Sequence, residues 1–102
     1  MILIQGHLKT NPDDAAKLKQ AVAPLIAATR QEPGCMAYAF AEDVAEPGLL
    51  HIVERWADDE ALTAHNQTAH LAAFRGALPT LGVTGFRVAR YDCAGEQVLV
   101  EG

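Results

Sequence analysis

Four histidines and a few aromatic side chains carry most of the chemistry this sequence offers. Imidazole titrates near neutral pH, so His7, His65 and His70 are the candidate bases for taking a proton from a weakly acidic hydroxyl. Trp56, Tyr38, Phe40 and Phe74 are candidate walls of an apolar cavity, the setting in which a few polar groups orient a small ligand. Glu54 stands two residues before Trp56. On a strand the two share a face, and Glu54 reaches a neighbouring histidine or arginine; a structural ion pair with Arg87 is the simpler expectation. Arg87 and Tyr91 also share a strand face, and each can donate a hydrogen bond to a ligand oxygen. Arg30 and Arg75 read as solvated charges. No metal site is expected, because His65 and His70 lack the i, i+4 spacing of a helical pair and no cysteine stands beside them.

These side chains must be placed by the elements around them. Residues 2–9 alternate, with Ile2, Ile4, Gly6 and Leu8 opposing Leu3, Gln5, His7 and Lys9, which predicts a strand. Asn11-Pro12-Asp13-Asp14 opens a helix, with Asn11 as cap and the aspartates at the positive end of the dipole. Leu18, Val22, Leu25, Ile26 and Thr29 follow on one helical face, Pro24 bends the helix, and Glu32-Pro33-Gly34 ends it. Cys35 to Glu42 is a second strand, with Met36, Tyr38 and Phe40 on one face and Cys35, Ala37, Ala39 and Ala41 on the other. An acidic Pro/Gly turn joins it to a third strand, Leu49 to Trp56, as a hairpin. Asp58-Asp59-Glu60 starts the next helical segment. Its apolar stripe breaks phase between His65 and Leu71, which predicts two short helices or a kinked one. In an unbroken helix His70 lies about 140° around from His65 and cannot share its face. Phe86 to Tyr91 is a fourth strand, and Val98-Leu99-Val100 offers a short further strand, open to pairing with another chain.

The order βαββαβ predicts a ferredoxin-like α+β fold, an antiparallel sheet with helices on one face. Apolar residues occupy both faces of the strands. The expectation is that Met36, Tyr38, Phe40 and Trp56 line a pocket under the helices, while Ile2, Ile4 and Leu8, with the alanines of the second strand, meet the sheet of a second copy in a homodimer. The chain has 102 residues and reads as a single domain over 1–102. Half its residues are hydrophobic, which excludes a disordered chain. A formal charge of −5 with scattered basic residues excludes nucleic acid and anionic membrane surfaces as partners. No apolar run approaches the roughly 18 residues that span a bilayer, and the first residues read as a strand rather than a signal peptide. Cys35 and Cys93 form no CxxC pair, which predicts free thiols in a reducing cytoplasm.

The run Glu54-Arg55-Trp56-Ala57-Asp58, then Ala61-Leu62, Ala64-His65, Thr68-Ala69-His70-Leu71 and Phe74, preceded by Glu32-Pro33-Gly34-Cys35 and Tyr38, resembles the antibiotic-biosynthesis monooxygenase family. It is most similar to the small bacterial quinol monooxygenases of that family, over nearly the whole chain. The resemblance implies a dimeric α+β barrel with a pocket between helices and sheet in each subunit. It implies oxygenation of a small activated aromatic, such as a quinol or anthrone, by O2 without metal, flavin or haem. On this view His65, Trp56 and His7 are catalytic, and Tyr38, Phe40, Glu54, His70, Phe74 and Arg87 contact the substrate. A deprotonated phenol can itself donate an electron to oxygen, so the protein need supply only an apolar cavity, a base and donors to the developing oxyanion. The same fold also admits a small-ligand or stress-response module without catalysis, and isomerase or cyclase chemistry. Haem-degrading relatives use an asparagine on the first strand with the tryptophan and histidine; here that strand offers His7 and no asparagine.

Overall fold

Alternation in the sequence becomes four strands and periodicity becomes three helices in the computed structural model, which describes residues 1–102. In chain order these are β1 (Ile2–Thr10), α1 (Ala15–Thr29), β2 (Cys35–Glu42), β3 (Leu49–Trp56), α2 (Asp59–Asn66), α3 (Ala69–Ala77) and β4 (Val83–Asp92). Short 3-10 turns at Pro12–Asp14 and Leu78–Thr80 precede α1 and follow α3. The strands form one antiparallel sheet in the order β2-β3-β1-β4, with the helices on one face. This is the α+β, ferredoxin-like architecture that the element order predicts.

The sheet's facing differs from the expectation for β1. Ile2 lies opposite Trp56, Ile4 opposite Glu54 and Leu8 opposite Leu50, so all three share the face of Trp56. They are buried beneath the helices with Leu18, Val22 and Leu25 of α1. Each large apolar side chain so buried stabilises the fold by roughly 1.5–3 kcal/mol. The outer face of β1 instead carries Leu3, Gln5, His7 and Lys9. Both parities of this strand hold apolar residues, and only the register against β3 decides which faces in.

A second correction concerns Met36. The β2–β3 register slips between Cys35 and Ala37, which lie opposite Trp56 and Arg55 respectively. Met36 is the extra residue of a bulge. It is exposed, while Cys35 takes its place against the core. Tyr38 and Phe40 keep the inward facing predicted for them.

The break after His65 produces two helices, as the phase change predicts. Asp58 caps α2 by accepting from the Ala61 amide. The Thr68 hydroxyl donates to the carbonyl of His65 at 2.8 Å and also stands at the cap of α3. Thr68 thereby ends one helix and starts the next. At the other end of the fold, Asn11 makes no side-chain cap; its amide donates to Asp14 instead.

The helices cover β2, β3 and β1 and leave the inner face of β4 open, with Phe86 68 % and Val88 51 % exposed. The predicted strand at 98–100 does not form within the chain; Val98, Leu99 and Val100 are exposed. Cys35 and Cys93 are both free thiols. Cys35 opens one edge strand and Cys93 directly follows the end of the other, about 14 Å apart by strand spacing, too far for a disulfide.

Candidate functional site

The inner sheet face and the helices α2 and α3 enclose a cavity of about 460 Å³, open toward β4. Ile4, Leu8, Ile52, Tyr38 and Phe40 form its floor, and Leu62, Leu71, Phe74 and Leu78 its roof. The polar lining is Glu54, His65, Asn66, Arg75 and Arg90. A mostly apolar cleft with a few converging polar groups is the common form of a small-molecule site. Phe40 and Phe74 meet edge to face across it, with centroids 6.2 Å apart.

His65 is the most constrained polar group of the wall, with 2 % of its surface exposed. Its ring lies 4.7 Å from that of Trp56 and 5.4 Å from that of Tyr38. Its Nδ1 stands 3.0 Å from Oε2 of Glu32, in the turn after α1. His70 brings its Nε2 to the same oxygen at 2.7 Å. Burial raises the Glu32 carboxyl, but hydrogen bonds and charge from His65 and His70 outweigh it and hold the group below the ordinary carboxylate range. Glu32 is therefore ionised near neutrality and can only accept. Both imidazoles donate, which puts a proton on His65 Nδ1; in the neutral ring the lone pair is then on Nε2, which has no protein partner.

Trp56 is fully buried and lies behind the cavity wall rather than in it. Its indole N–H donates to Glu54 Oε1 at 2.9 Å. Burial pushes the Glu54 carboxyl up, with the Trp56 hydrogen bond pulling it back only in part. Burial, followed by the charges of Glu54 and Glu32, holds the Tyr38 hydroxyl far above its usual range, so it stays a neutral phenol. Trp56 is thus a positioning residue that carries both Glu54 and His65.

Of the residues singled out in the sequence, His65, Tyr38, Phe40, Glu54 and Phe74 line this cavity. His70 stands behind His65, joined to it through Glu32. His7 and Arg87 do not join them. They pair with each other across β1 and β4 on the outer sheet face, because their parity is opposite to that of Ile4 and Leu8. Glu54 therefore has Trp56 rather than Arg87 as its partner. The inner positions of β1 beside Trp56 and His65 are Ile2, Ile4, Gly6 and Leu8, none of them polar. Arg30 is not merely solvated; its Nε donates to the Tyr38 carbonyl at 3.0 Å.

Arg75, expected as a solvated charge, lines the cavity instead; Asn66 and Arg90 also line it and Glu32 supports it, none of the three marked by the sequence as a site residue. Glu32 had one signal. A carboxylate just past a helix C-terminus opposes the helix dipole, so its place there calls for another partner. The expectation of no metal site also meets a correction in geometry. Glu32, His65 and His70 offer three ligand atoms within 4.8 Å of one another, because the break at Thr68 folds His70 back toward His65.

The family model for antibiotic biosynthesis monooxygenase matches residues 1–77. The candidate monooxygenase YcnE of Bacillus subtilis (strain 168) is 31% identical over 74 residues, covering 72% of this chain and 78% of YcnE. The protein sll1783 of Synechocystis sp. is 31% identical over 98 residues, covering 96% of this chain and 67% of its own. The crystal structure of a candidate antibiotic biosynthesis monooxygenase from Deinococcus radiodurans superposes with a TM-score of 0.89 at 33% identity, covering 100% of both chains. The chain belongs to the antibiotic biosynthesis monooxygenase family.

Proposed function

We propose that the protein is a cofactor-independent monooxygenase that oxidises a small quinol-type aromatic with O2. The observation that carries this reading is the Glu32–His65 pair at the wall of an apolar cavity. Glu32 accepts from Nδ1–H and selects the tautomer whose Nε2 can take a proton, as a carboxylate does behind a catalytic histidine. A bound hydroxyl gives its proton to Nε2, and the resulting phenolate passes its electrons to O2. A carbon–oxygen bond forms and gives a substrate hydroperoxide. The hydroperoxide carries the proton that His65 returns. The C–H bond of the oxygenated carbon and the O–O bond then break, one oxygen staying on the ring as a carbonyl and the other leaving as water with the proton lost from that carbon. All four electrons come from the substrate, so no external reductant is required. Asn66 and Arg75 line the cavity and are the donors placed to stabilise the oxyanion.

The working unit in this proposal is a homodimer in the cytoplasm. The uncovered Phe86 and Val88 at the mouth of the cavity, and the exposed Val98–Val100 segment, are apolar surface that a second copy would cover. The alanines of β2 and the half-exposed Val53 supply further close-packing surface on the outer sheet face. The free thiols fit a reducing compartment. No helix is long and apolar enough to cross a membrane.

Oxygen uptake with a panel of hydroquinones and anthrones, in metal-free buffer, tests the activity. Uptake that is lost in His65→Ala supports it. Anaerobic turnover of the same substrates would instead reveal isomerase or cyclase chemistry.

A further inference from the structure

We propose that Glu32, His65 and His70 form a binding site for a divalent transition-metal ion of the zinc type, and that the ion, when bound, reverses the tautomer of His65. Two imidazoles and one carboxylate are a donor set that holds Zn²⁺ with one position left for water. Here they come from three separate places in the chain, the turn after α1, the last turn of α2 and the first turn of α3. His65 Nδ1 and His70 Nε2 converge on the single oxygen Oε2 of Glu32, at 3.0 and 2.7 Å. All three ligand atoms lie within 4.8 Å of one another.

The two N–H groups now occupy the place the ion would take. Metal bonds to nitrogen and oxygen run about 2.0–2.2 Å, so in a tetrahedral site the ligand atoms stand roughly 3.4 Å apart. Binding therefore needs a movement of about an ångström. His70 can make it, since its side chain is 29 % exposed, while His65 at 2 % is held by Trp56 and Tyr38. The exposed side of His70 is also the route by which the ion enters and the fourth ligand, water, reaches it.

The consequence reaches the cavity. A neutral imidazole bound to metal through Nδ1 carries its proton on Nε2. In the metal-free protein Nε2 has a lone pair; in the metal-bound protein it is a donor and cannot accept a substrate proton. The inhibition this implies rests on the monooxygenase reading, whereas ion binding and the tautomer do not.

The test uses the full-length protein, freed of metal by a chelator, without substrate. Calorimetric titration with ZnCl2 is expected to show one ion per chain and a raised melting temperature. Glu32→Gln and His70→Ala should each weaken binding by more than about tenfold. His51→Ala, which removes an exposed surface histidine paired with Asp43, should leave it unchanged. Should those site variants fail to fold, Co²⁺ added to the wild type gives the second reading, a visible band of four- or five-coordinate nitrogen and oxygen ligation. Ring-¹⁵N shifts of labelled histidine should place the His65 proton on Nδ1 without metal and on Nε2 with Zn²⁺. Absence of saturable binding, binding that survives both site variants, or an unchanged His65 tautomer in the Zn²⁺ complex would overturn the proposal. None of these readings depends on turnover, so an inactive enzyme and an absent metal site are distinguished.

Discussion

His65 and Glu32 are 33 positions apart in the chain and meet at 3.0 Å between Nδ1 and Oε2. The pair fixes an imidazole tautomer at the edge of an apolar cavity, and Trp56 packed at 4.7 Å keeps the ring from turning. If this pair is what activates the substrate, disturbing Glu32 must act on the chemical step rather than on binding. Glu32→Gln is expected to lower kcat for oxygen uptake by about a hundredfold and to leave KM nearly unchanged. Steady-state kinetics checks this split; a rise in KM alone would assign Glu32 to substrate binding.

Trp56→Phe removes the donor to Glu54 and most of the surface against His65. It leaves a buried acceptor without its partner. A loss of about 2–4 kcal/mol in urea unfolding is expected. A loss below about half a kcal/mol would show that the indole N–H matters little to the fold.

Glu54 gives the pH prediction. Burial raises its carboxyl above the ordinary carboxylate range. Its folded-state value therefore lies above the unfolded one. The charged form is a cost that appears as pH rises from the unfolded to the folded value, and it is absent below both. Glu54→Gln keeps a carbonyl for Trp56 and removes that cost. The variant should be more stable than wild type at about pH 7.5, with the gain shrinking toward about pH 4. Unfolding curves at the two pH values test the sign.

Two glycines predict opposite outcomes. A Cβ on Gly6 would stand 2.0 Å from the Arg87 carbonyl oxygen, a backbone atom that moves only if β4 moves. Gly6→Ala should cost about 2–3 kcal/mol. A Cβ on Gly76, within α3, meets nothing within 4 Å. Gly76→Ala should stabilise by about 0.5–1 kcal/mol through helix propensity. Thermal unfolding of both variants checks the contrast.

The homodimer proposal predicts a particle of two chains by light scattering at low protein concentration. Val53→Lys, on the outer face of β3, should shift it toward one chain. A folded wild-type monomer under those conditions would contradict the dimer.

Strand alternation and the helix break were legible in the sequence because they depend on neighbours along the chain. Glu54 and Trp56 share a face by strand geometry alone, but the sequence points to Arg87 as the partner of Glu54, and the facing of β4 turns Arg87 away. The inward face of β1 was not legible, because Ile2 and Leu3 offer apolar residues on both parities and the choice lies in the register with β3. Met36 was misplaced because a bulge shifts parity by one residue and leaves no mark in a run of large and small side chains. The same facing of β1 puts His7 and Arg87 on the outer sheet face, away from the cavity. Glu32 was hidden by distance along the chain. It reads locally as a helix end, and only the packing of α1 against α3 brings it to His65 and His70.

The central claim is tested most directly by the oxygen electrode, comparing wild type with His65→Ala on the hydroquinone and anthrone panel in metal-free buffer. The account predicts uptake by the wild type and a fall of about a hundredfold or more in the variant, both proteins giving the same circular dichroism. A folded His65→Ala protein that consumes oxygen as fast as the wild type would contradict it.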